Sequence, residues 1–286
     1  MIGVTGVTGG LGGRISALLA ERGAPMRLLA REAGRVPDRA GAEVAEVPAG
    51  YADGEGMRRA LEGVETLFLV SASEDPDRVS LHRSAIDAAV AAGVRRVVYT
   101  SFVAAAPDTT FTFGRDHFHT EEHLKASGMA WTMLRDSIYL DYVPFFASAE
   151  GVIRGPAGDG RVAAVARDDI AEAAAAVLLD ERHAGAAYEL TGPEAITLDE
   201  AAEILTRVTG REVTYVRETL EEARASRAPS GAPDWEIEGW VTSYAAIADG
   251  DLDVVSGAVA DLTGHEPIAL PEFLERHPES WAHLVT

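Results

Sequence analysis

Short apolar, β-branched runs at 2–5, 26–30, 43–47, 64–70, 95–100 and 130–135 alternate with stretches of helical periodicity at 11–22, 55–62, 77–92 and 115–127. Strands alternating with crossover helices predict a parallel sheet. The first helix carries Leu11, Ile15, Leu18, Leu19 and Arg22 at 3.6-residue spacing and stops at Gly23, the residue type that most easily takes a left-handed cap. The helix after Asp75-Pro76-Asp77 runs through Val79, Ile86 and Val90 to Gly93. Together these elements predict an α/β, doubly wound fold.

Beyond residue 145 the rhythm changes. Glycine- and proline-bearing loops at 151–160 precede a helix at 168–180 and a short strand at 187–191, then helices near 197–209, 218–226, 235–248 and 252–262. The expected organisation is a sheet domain over 1–192, with some elements of the second lobe in 145–167, and a smaller, mainly helical lobe over 193–286 packed over the sheet's carboxyl edge. The segment from Ala228 to Pro233, with two prolines and a glycine, reads as a loop.

Charge and composition then remove whole classes of function. The 286 residues include 46 acidic and 25 basic side chains, a net charge of −21, which repels the phosphate backbone of nucleic acid. Cysteine is absent, which excludes disulfides, thiolate metal sites and a cysteine nucleophile. Lys125 is the single lysine, and there is neither asparagine nor glutamine. No apolar run reaches the 18 residues of a membrane span, and the first residues enter an apolar strand without a basic or signal-like region. A soluble, cytoplasmic protein is expected, with no membrane and no nucleic-acid partner.

The first strand leads into Thr5-Gly6-Val7-Thr8-Gly9-Gly10-Leu11-Gly12, a G-x-x-G-x-x-G turn that opens directly into a helix. In such a turn the first glycine allows the bend and the second lets backbone approach a pyrophosphate. The third lets helix and strand pack closely, while the helix amino terminus faces the anion. A Walker phosphate loop is excluded, because Gly13 is followed by Arg14 and no lysine is near. Which dinucleotide binds depends on the end of the second strand, where an acid would accept from a 2′-hydroxyl and an arginine would neutralise a 2′-phosphate. That strand ends in Arg31, with Arg35 and Arg39 following at four-residue intervals. NADP(H) is therefore the expected cofactor, with Arg31 against the 2′-phosphate. The bland alternative pairs Arg31 with Glu32 or Asp38.

The glycine turn, Arg31 and the fifth strand Val97-Val98-Tyr99-Thr100-Ser101 together resemble the short-chain dehydrogenase/reductase superfamily. The segment Arg115-Asp116-His117-Phe118-His119-Thr120-Glu121-Glu122, then Ser127-Gly128 and Thr132-Met133-Leu134-Arg135, is similar to its atypical, NmrA-like branch. That branch includes type 2 NAD(P)H:quinone oxidoreductases and triphenylmethane-dye reductases. The resemblance covers about residues 1–192 and continues more loosely beyond. It implies a Rossmann-like NAD(P)-binding domain, a substrate-binding lobe and a homodimer. It also implies cofactor contacts from Gly6, Thr8, Gly9, Gly10, Leu11, Gly12, Arg31, Ser71, Thr100 and Ser101.

The superfamily's usual proton donor is Tyr-x-x-x-Lys, and this chain cannot supply it. The only lysine is preceded four residues earlier by Glu121, and none of the seven tyrosines has lysine four residues on. Counting back from Ser127-Gly128, the family's tyrosine and lysine positions fall on Phe113 and His117. A ketone reductase would lose the acid its alkoxide needs, whereas a quinone becomes a delocalised phenolate and a carbocationic dye needs no proton. The expected small-molecule partner is thus a quinone or a similar electron-poor conjugated acceptor, with catalysis resting on orientation. Phe102, Phe113 and Tyr139 are expected to wall the acceptor, with Trp235 as a lid contact and His117 and Tyr139 as the catalytic candidates. A non-catalytic NADP(H)-binding redox sensor is the alternative from another class, and an epimerase would require a proton relay not visible in the sequence.

Other patterns read as structural. His119-Thr120-Glu121-Glu122-His123 matches an inverted zinc-protease motif, but Glu121 with Lys125 is more simply an i,i+4 pair on a solvated face. Asp168-Asp169 reads as acids at a helix amino terminus, and Trp240 with Tyr244 as helix-core packing.

Overall fold

The computed structural model describes residues 1–285. Its first half runs β1 (Ile2–Val4), α1 (Gly10–Glu21), β2 (Met26–Ala30), β3 (Ala42–Glu46), α2 (Gly54–Ala60), β4 (Thr66–Leu69), α3 (Arg78–Ala91), β5 (Arg96–Phe102), α4 (Thr112–Ala126) and β6 (Ala130–Asp136). The remainder runs β7 (Val152–Gly155), β8 (Arg161–Val162), α5 (Arg167–Leu179), β9 (Ala186–Leu190), β10 (Ile196–Thr197), α6 (Leu198–Thr209), β11 (Thr214–Arg217), α7 (Leu220–Arg227), α8 (Asp234–Ala248), α9 (Ala258–Thr263) and α10 (Leu270–Arg276).

Seven strands form one sheet in the order β3-β2-β1-β4-β5-β6-β9. β1 pairs in parallel with β2 and β4, β2 with β3, and β4 with β5. The fold is therefore a Rossmann-like α/β sheet. Its order reverses between β1 and β4, and in open sheets of this kind ligands bind at such a switch point, outside the carboxyl ends of the strands. Gly23 and Gly93, at φ +66° and +81°, close α1 and α3 in the left-handed region where a side chain would be strained.

Two compact units result. One comprises Met1–Phe102, Asp116–Arg135 and Asp168–Tyr188; the other comprises Val103–Arg115, Asp136–Arg167 and the residues from Glu189 onward. The segments that leave the carboxyl ends of β5 and β6, 103–115 and 136–167, belong to the second unit before the chain returns to the first. The first unit packs Leu61, Leu67, Leu69, Ile86, Tyr99, Leu124 and Met133 into one core. In the second, Ala223 of α7 meets Ile237 and Val241 of α8, with Trp240 against them.

The second unit also holds elements the sequence pattern did not predict. Two small sheets pair β10 with β8 antiparallel and β11 with β7 parallel, in strands too short to show an alternation. The helix expected at 252–262 is confined to Ala258–Thr263. Its first half is a turn and irregular backbone, held as the Leu252 carbonyl accepts from the Ala163 amide at 3.2 Å and the Ser256 amide donates to Thr191 Oγ1 at 2.9 Å. Among the described residues no helix is long and apolar enough to cross a membrane.

Candidate functional site

The glycine turn takes its shape from what a side chain would meet there. Gly6 sits at φ +65°, and a Cβ on Gly12 would lie 2.5 Å from the Gly6 carbonyl oxygen. The second contact is backbone against backbone and has no flexible group to yield. Gly9 caps α1 without a side-chain hydrogen bond, so the first amides of a 12-residue helix have no intrahelical or side-chain acceptor at their cap. Thr8, Gly9 and Gly10 are exposed, while Leu11 and Gly12 are buried beneath them. The base of the turn is fixed by Thr5, whose hydroxyl donates to the Phe68 carbonyl at 3.1 Å and accepts from the Val70 amide at 2.9 Å. These features fit the pyrophosphate of a dinucleotide: a helix amino terminus behind a turn narrow enough for backbone alone.

Arg31 follows the last residue of β2 and is exposed, with no ion pair or hydrogen bond among the described residues. Its neighbours are engaged elsewhere. Glu32 pairs with Arg35 at 3.8 Å, and Arg39 donates to the Gly13 carbonyl and Ser16 hydroxyl, each at 3.3 Å. A Cβ on Gly50, at φ +58°, would lie 3.5 Å from Arg31 Cγ, so the stem of Arg31 runs past a bare backbone.

The ends of β4 and β5 meet through Thr100, whose hydroxyl oxygen accepts from the Ser71 amide at 2.7 Å. Ser101 is turned inward and donates to Glu121 Oε1 at 2.7 Å. Glu121 is 0% exposed and accepts two bonds from Arg135, at 2.8 and 2.7 Å, with Lys125 at 3.5 Å. This corrects the surface reading of Glu121: β6 supplies a guanidinium that the helical pattern of α4 cannot show. Burial raises the Glu121 carboxyl, but the bonds from Arg135 and Ser101 and the charges of Arg135 and Lys125 outweigh it and hold the group below its ordinary value.

Between α3 and α4 lies a buried polar network that the sequence reading missed. The Ala72 amide donates to His82 Nε2 at 2.8 Å, so that ring carries its proton on Nδ1 and donates to Thr120 Oγ1 at 2.8 Å. Arg78 faces His117 Nε2 at 3.2 Å, which leaves the His117 proton on Nδ1, 2.9 Å from the Tyr99 hydroxyl. Arg78 also donates to the Ala72 carbonyl at 3.0 Å and so ties down the chain beyond β4. Burial, reinforced by the Arg78 charge, lowers His82 to about 3 and drives His117 well below its ordinary value. Both nitrogens of His117 are occupied, and Phe102 stacks on its ring at 6.1 Å. His117 is thus a fixed neutral ring beside Phe102. Arg78 and His82, four residues apart on one helix, were the available signal.

The other predicted residues lie in the second unit. Phe113 is only 7% exposed, packed against Phe111 and Trp235 at 5.6 and 6.2 Å. A Cβ on Gly239 would come within 2.4 Å of the Phe113 ring, so α8 needs glycine there to admit it. Phe113 is consequently a core residue, with Trp235 at its edge. Tyr139 belongs to a separate cluster. Its hydroxyl donates to Asp136 Oδ2 at 3.0 Å, its ring stacks on Tyr142 at 5.8 Å, and the Arg167 guanidinium lies over the two rings at 5.0 and 4.6 Å. Burial pushes the Asp136 carboxyl well above its ordinary value, and burial together with the Asp136 charge pushes Tyr139 up. The sequence reading passed over Asp136; the signal was an acid closing an otherwise apolar strand.

Comparison with known proteins agrees with this architecture. Residues 1–258 match the NmrA-like family. The chain is 35% identical over 280 residues to quinone oxidoreductase 2 of Escherichia coli (strain K12), covering 95% of this chain and 96% of that protein. A crystal structure of an NADPH-dependent quinone oxidoreductase from Escherichia coli complexed with NADPH is similar with a TM-score of 0.86 at 33% identity, covering 96% of this chain and 99% of that one. For the Citrobacter sp. triphenylmethane reductase complexed with NADP(H) the TM-score is 0.85 at 29% identity, with 96% and 99% covered. A nucleoside-diphosphate-sugar epimerase from Staphylococcus aureus gives 0.87 at 26% identity, again with 96% and 99% covered. With its reversed-order parallel sheet, its glycine turn and a match over most of its length, the chain belongs to the NmrA-like family.

Proposed function

We propose that the protein is an NADP(H)-dependent oxidoreductase that passes hydride to a quinone or a similarly conjugated, electron-poor acceptor. The observation that carries this reading is the pairing of the uncapped, Cβ-intolerant turn at Gly6–Gly12 with an Arg31 that has no ion pair or hydrogen bond among the described residues. The turn's amides would hold the pyrophosphate, and Arg31 would neutralise the adenosine 2′-phosphate. When bound, NADPH supplies the hydride. The chain's own part is to hold the reactants in register and exclude water, which is sufficient when the reduced acceptor is a stabilised anion. The quinone reductase named among the relatives supports this acceptor class, and the missing Tyr-x-x-x-Lys weighs against an epimerase, which must also move protons at the reacting centre.

The direct test is stopped-flow oxidation of bound NADPH by a panel of quinones. Turnover with several is expected; none with any would overturn the proposal, and cofactor binding without turnover would fit a redox sensor instead. Cofactor choice has its own test. Arg31→Ala is expected to weaken NADPH binding about tenfold, the worth of one partly solvated charge-assisted contact, while leaving NADH nearly unchanged. Equal losses by calorimetry would place the arginine elsewhere.

A further inference from the structure

Val70, Ser71 and Ala72 leave β4 where its pairing with β1 and β5 has stopped, and side chains take over their backbone groups. The Val70 amide donates to Thr5 Oγ1 at 2.9 Å, and the Val70 carbonyl accepts from the Tyr51 hydroxyl at 2.6 Å. The Ser71 amide donates to Thr100 Oγ1 at 2.7 Å. The Ala72 amide donates to His82 Nε2 at 2.8 Å, and the Ala72 carbonyl accepts from Arg78 Nε at 3.0 Å. Among the described residues, a side chain thus holds every backbone polar group from the Val70 amide to the Ala72 carbonyl except the Ser71 carbonyl. The acceptor role of His82 is fixed from behind. Thr120 Oγ1 donates to the Asp116 carbonyl at 2.7 Å and therefore accepts from His82 Nδ1, which leaves Nε2 unprotonated for Ala72. Arg78 and His82 stand one turn apart on α3, so one helix grips both polar groups of Ala72.

This segment lies beside the glycine turn, in the same compact unit. A Cβ on Gly6 would sit 3.0 Å from Val70 Cβ, and Thr5, which holds the Val70 amide, is the residue before that glycine. The sheet order also reverses between β1 and β4, the place where open sheets of this kind take their ligands. We propose that Tyr51, Arg78 and His82 are positioning residues that hold 70–72 as a ready-made wall of the coenzyme cleft. This rests on the functional reading above. A segment that its ligand must order subtracts that entropy from the affinity, whereas one ordered beforehand does not. The side chains that do the ordering act through the backbone at 70–72 rather than on the coenzyme. β2, which leads to Arg31, and β4 flank β1 on opposite sides. The wall therefore serves the part of the coenzyme away from the 2′-phosphate, and loosening it should affect NADPH and NADH alike.

Two substitutions at one position, measured by calorimetry on the full chain, separate positioning from packing. His82→Asn keeps a polar atom toward Thr120 but offers none to Ala72, whereas His82→Gln carries its side-chain oxygen out to where Nε2 stands. His82→Asn should weaken NADPH and NADH roughly tenfold each, the cost of ordering about one residue's backbone on binding. His82→Gln should restore most of that affinity. Unchanged affinity in His82→Asn overturns the positioning role. So do equal losses in the two variants, which would report the missing ring rather than the bond to Ala72. Hydrogen exchange in the wild type carries the test if the variants do not fold. The amides of 70–72 should be protected in the coenzyme-free protein and gain little when NADP⁺ is added; free exchange that only the coenzyme suppresses overturns the proposal. A wild type that gives no heat with either coenzyme overturns the functional reading, and the positioning role falls with it.

Discussion

Glu121→Ala is expected to cost the folded protein about 3–5 kcal/mol, the penalty for breaking a buried ion pair by removing one partner. Glu121 is fully buried and accepts from Arg135 twice and from Ser101 once, so truncation removes the acceptor that these two side chains share inside the first unit. Chemical denaturation at neutral pH should show a lower midpoint with an unchanged slope. Glu121→Gln, which keeps an acceptor oxygen but not the charge, should lose less. A loss under about 1 kcal/mol for the alanine variant would mean that the pair behaves as a surface contact. The pH dependence has a definite sign. Because the folded carboxyl lies below its unfolded value, its contribution is fully present above about pH 4.5 and disappears only as pH falls through the lowered folded value.

Mild acid should weaken the protein well before carboxylates are involved. His82 and His117 are held neutral in the fold, His82 at about 3 and His117 well below its ordinary value, whereas each takes a proton near 6.5 once unfolded. The unfolded chain therefore binds more protons below that value, and stability rises with pH across the window between the folded and unfolded values. Between about pH 7.5 and 5.5 each histidine contributes roughly 1.4 kcal/mol of loss, so the pair removes about 3 kcal/mol. Urea midpoints at the two pH values measure this directly, and His82→Asn should reduce the loss by about half. An unchanged wild-type midpoint would show that water or a charge reaches these rings.

These two predictions mark where the sequence was informative and where it was not. Periodicity located β1 through β6 and α1 through α5 within a few residues, because each long element repeats its own pattern. The turn at Gly6–Gly12 was legible for a related reason: its chemistry lies in consecutive residues. The surroundings of Glu121 and His117 were not legible because their partners, Arg135 and Arg78, come from other elements, and a one-dimensional pattern cannot show a cation delivered across the sheet or from the neighbouring helix. The close packing of Phe113 was not legible either, since the decisive fact is the missing side chain at Gly239, 126 positions along the chain. Asp136 escaped notice because one acid at a strand end becomes informative only when its surroundings are known to contain no counter-ion.

The interleaving of the two units bears on how this architecture can change. The polypeptide passes from one to the other five times, at 102/103, 115/116, 135/136, 167/168 and 188/189. A tail fragment starting near 193 would lack the pieces contributed by 103–115 and 136–167, so it is no portable module. Replacing the second unit as a block would mean exchanging three stretches together, whereas point changes within those stretches leave the segments of the first unit untouched. Diversification by substitution should therefore be easier for this scaffold than diversification by shuffling.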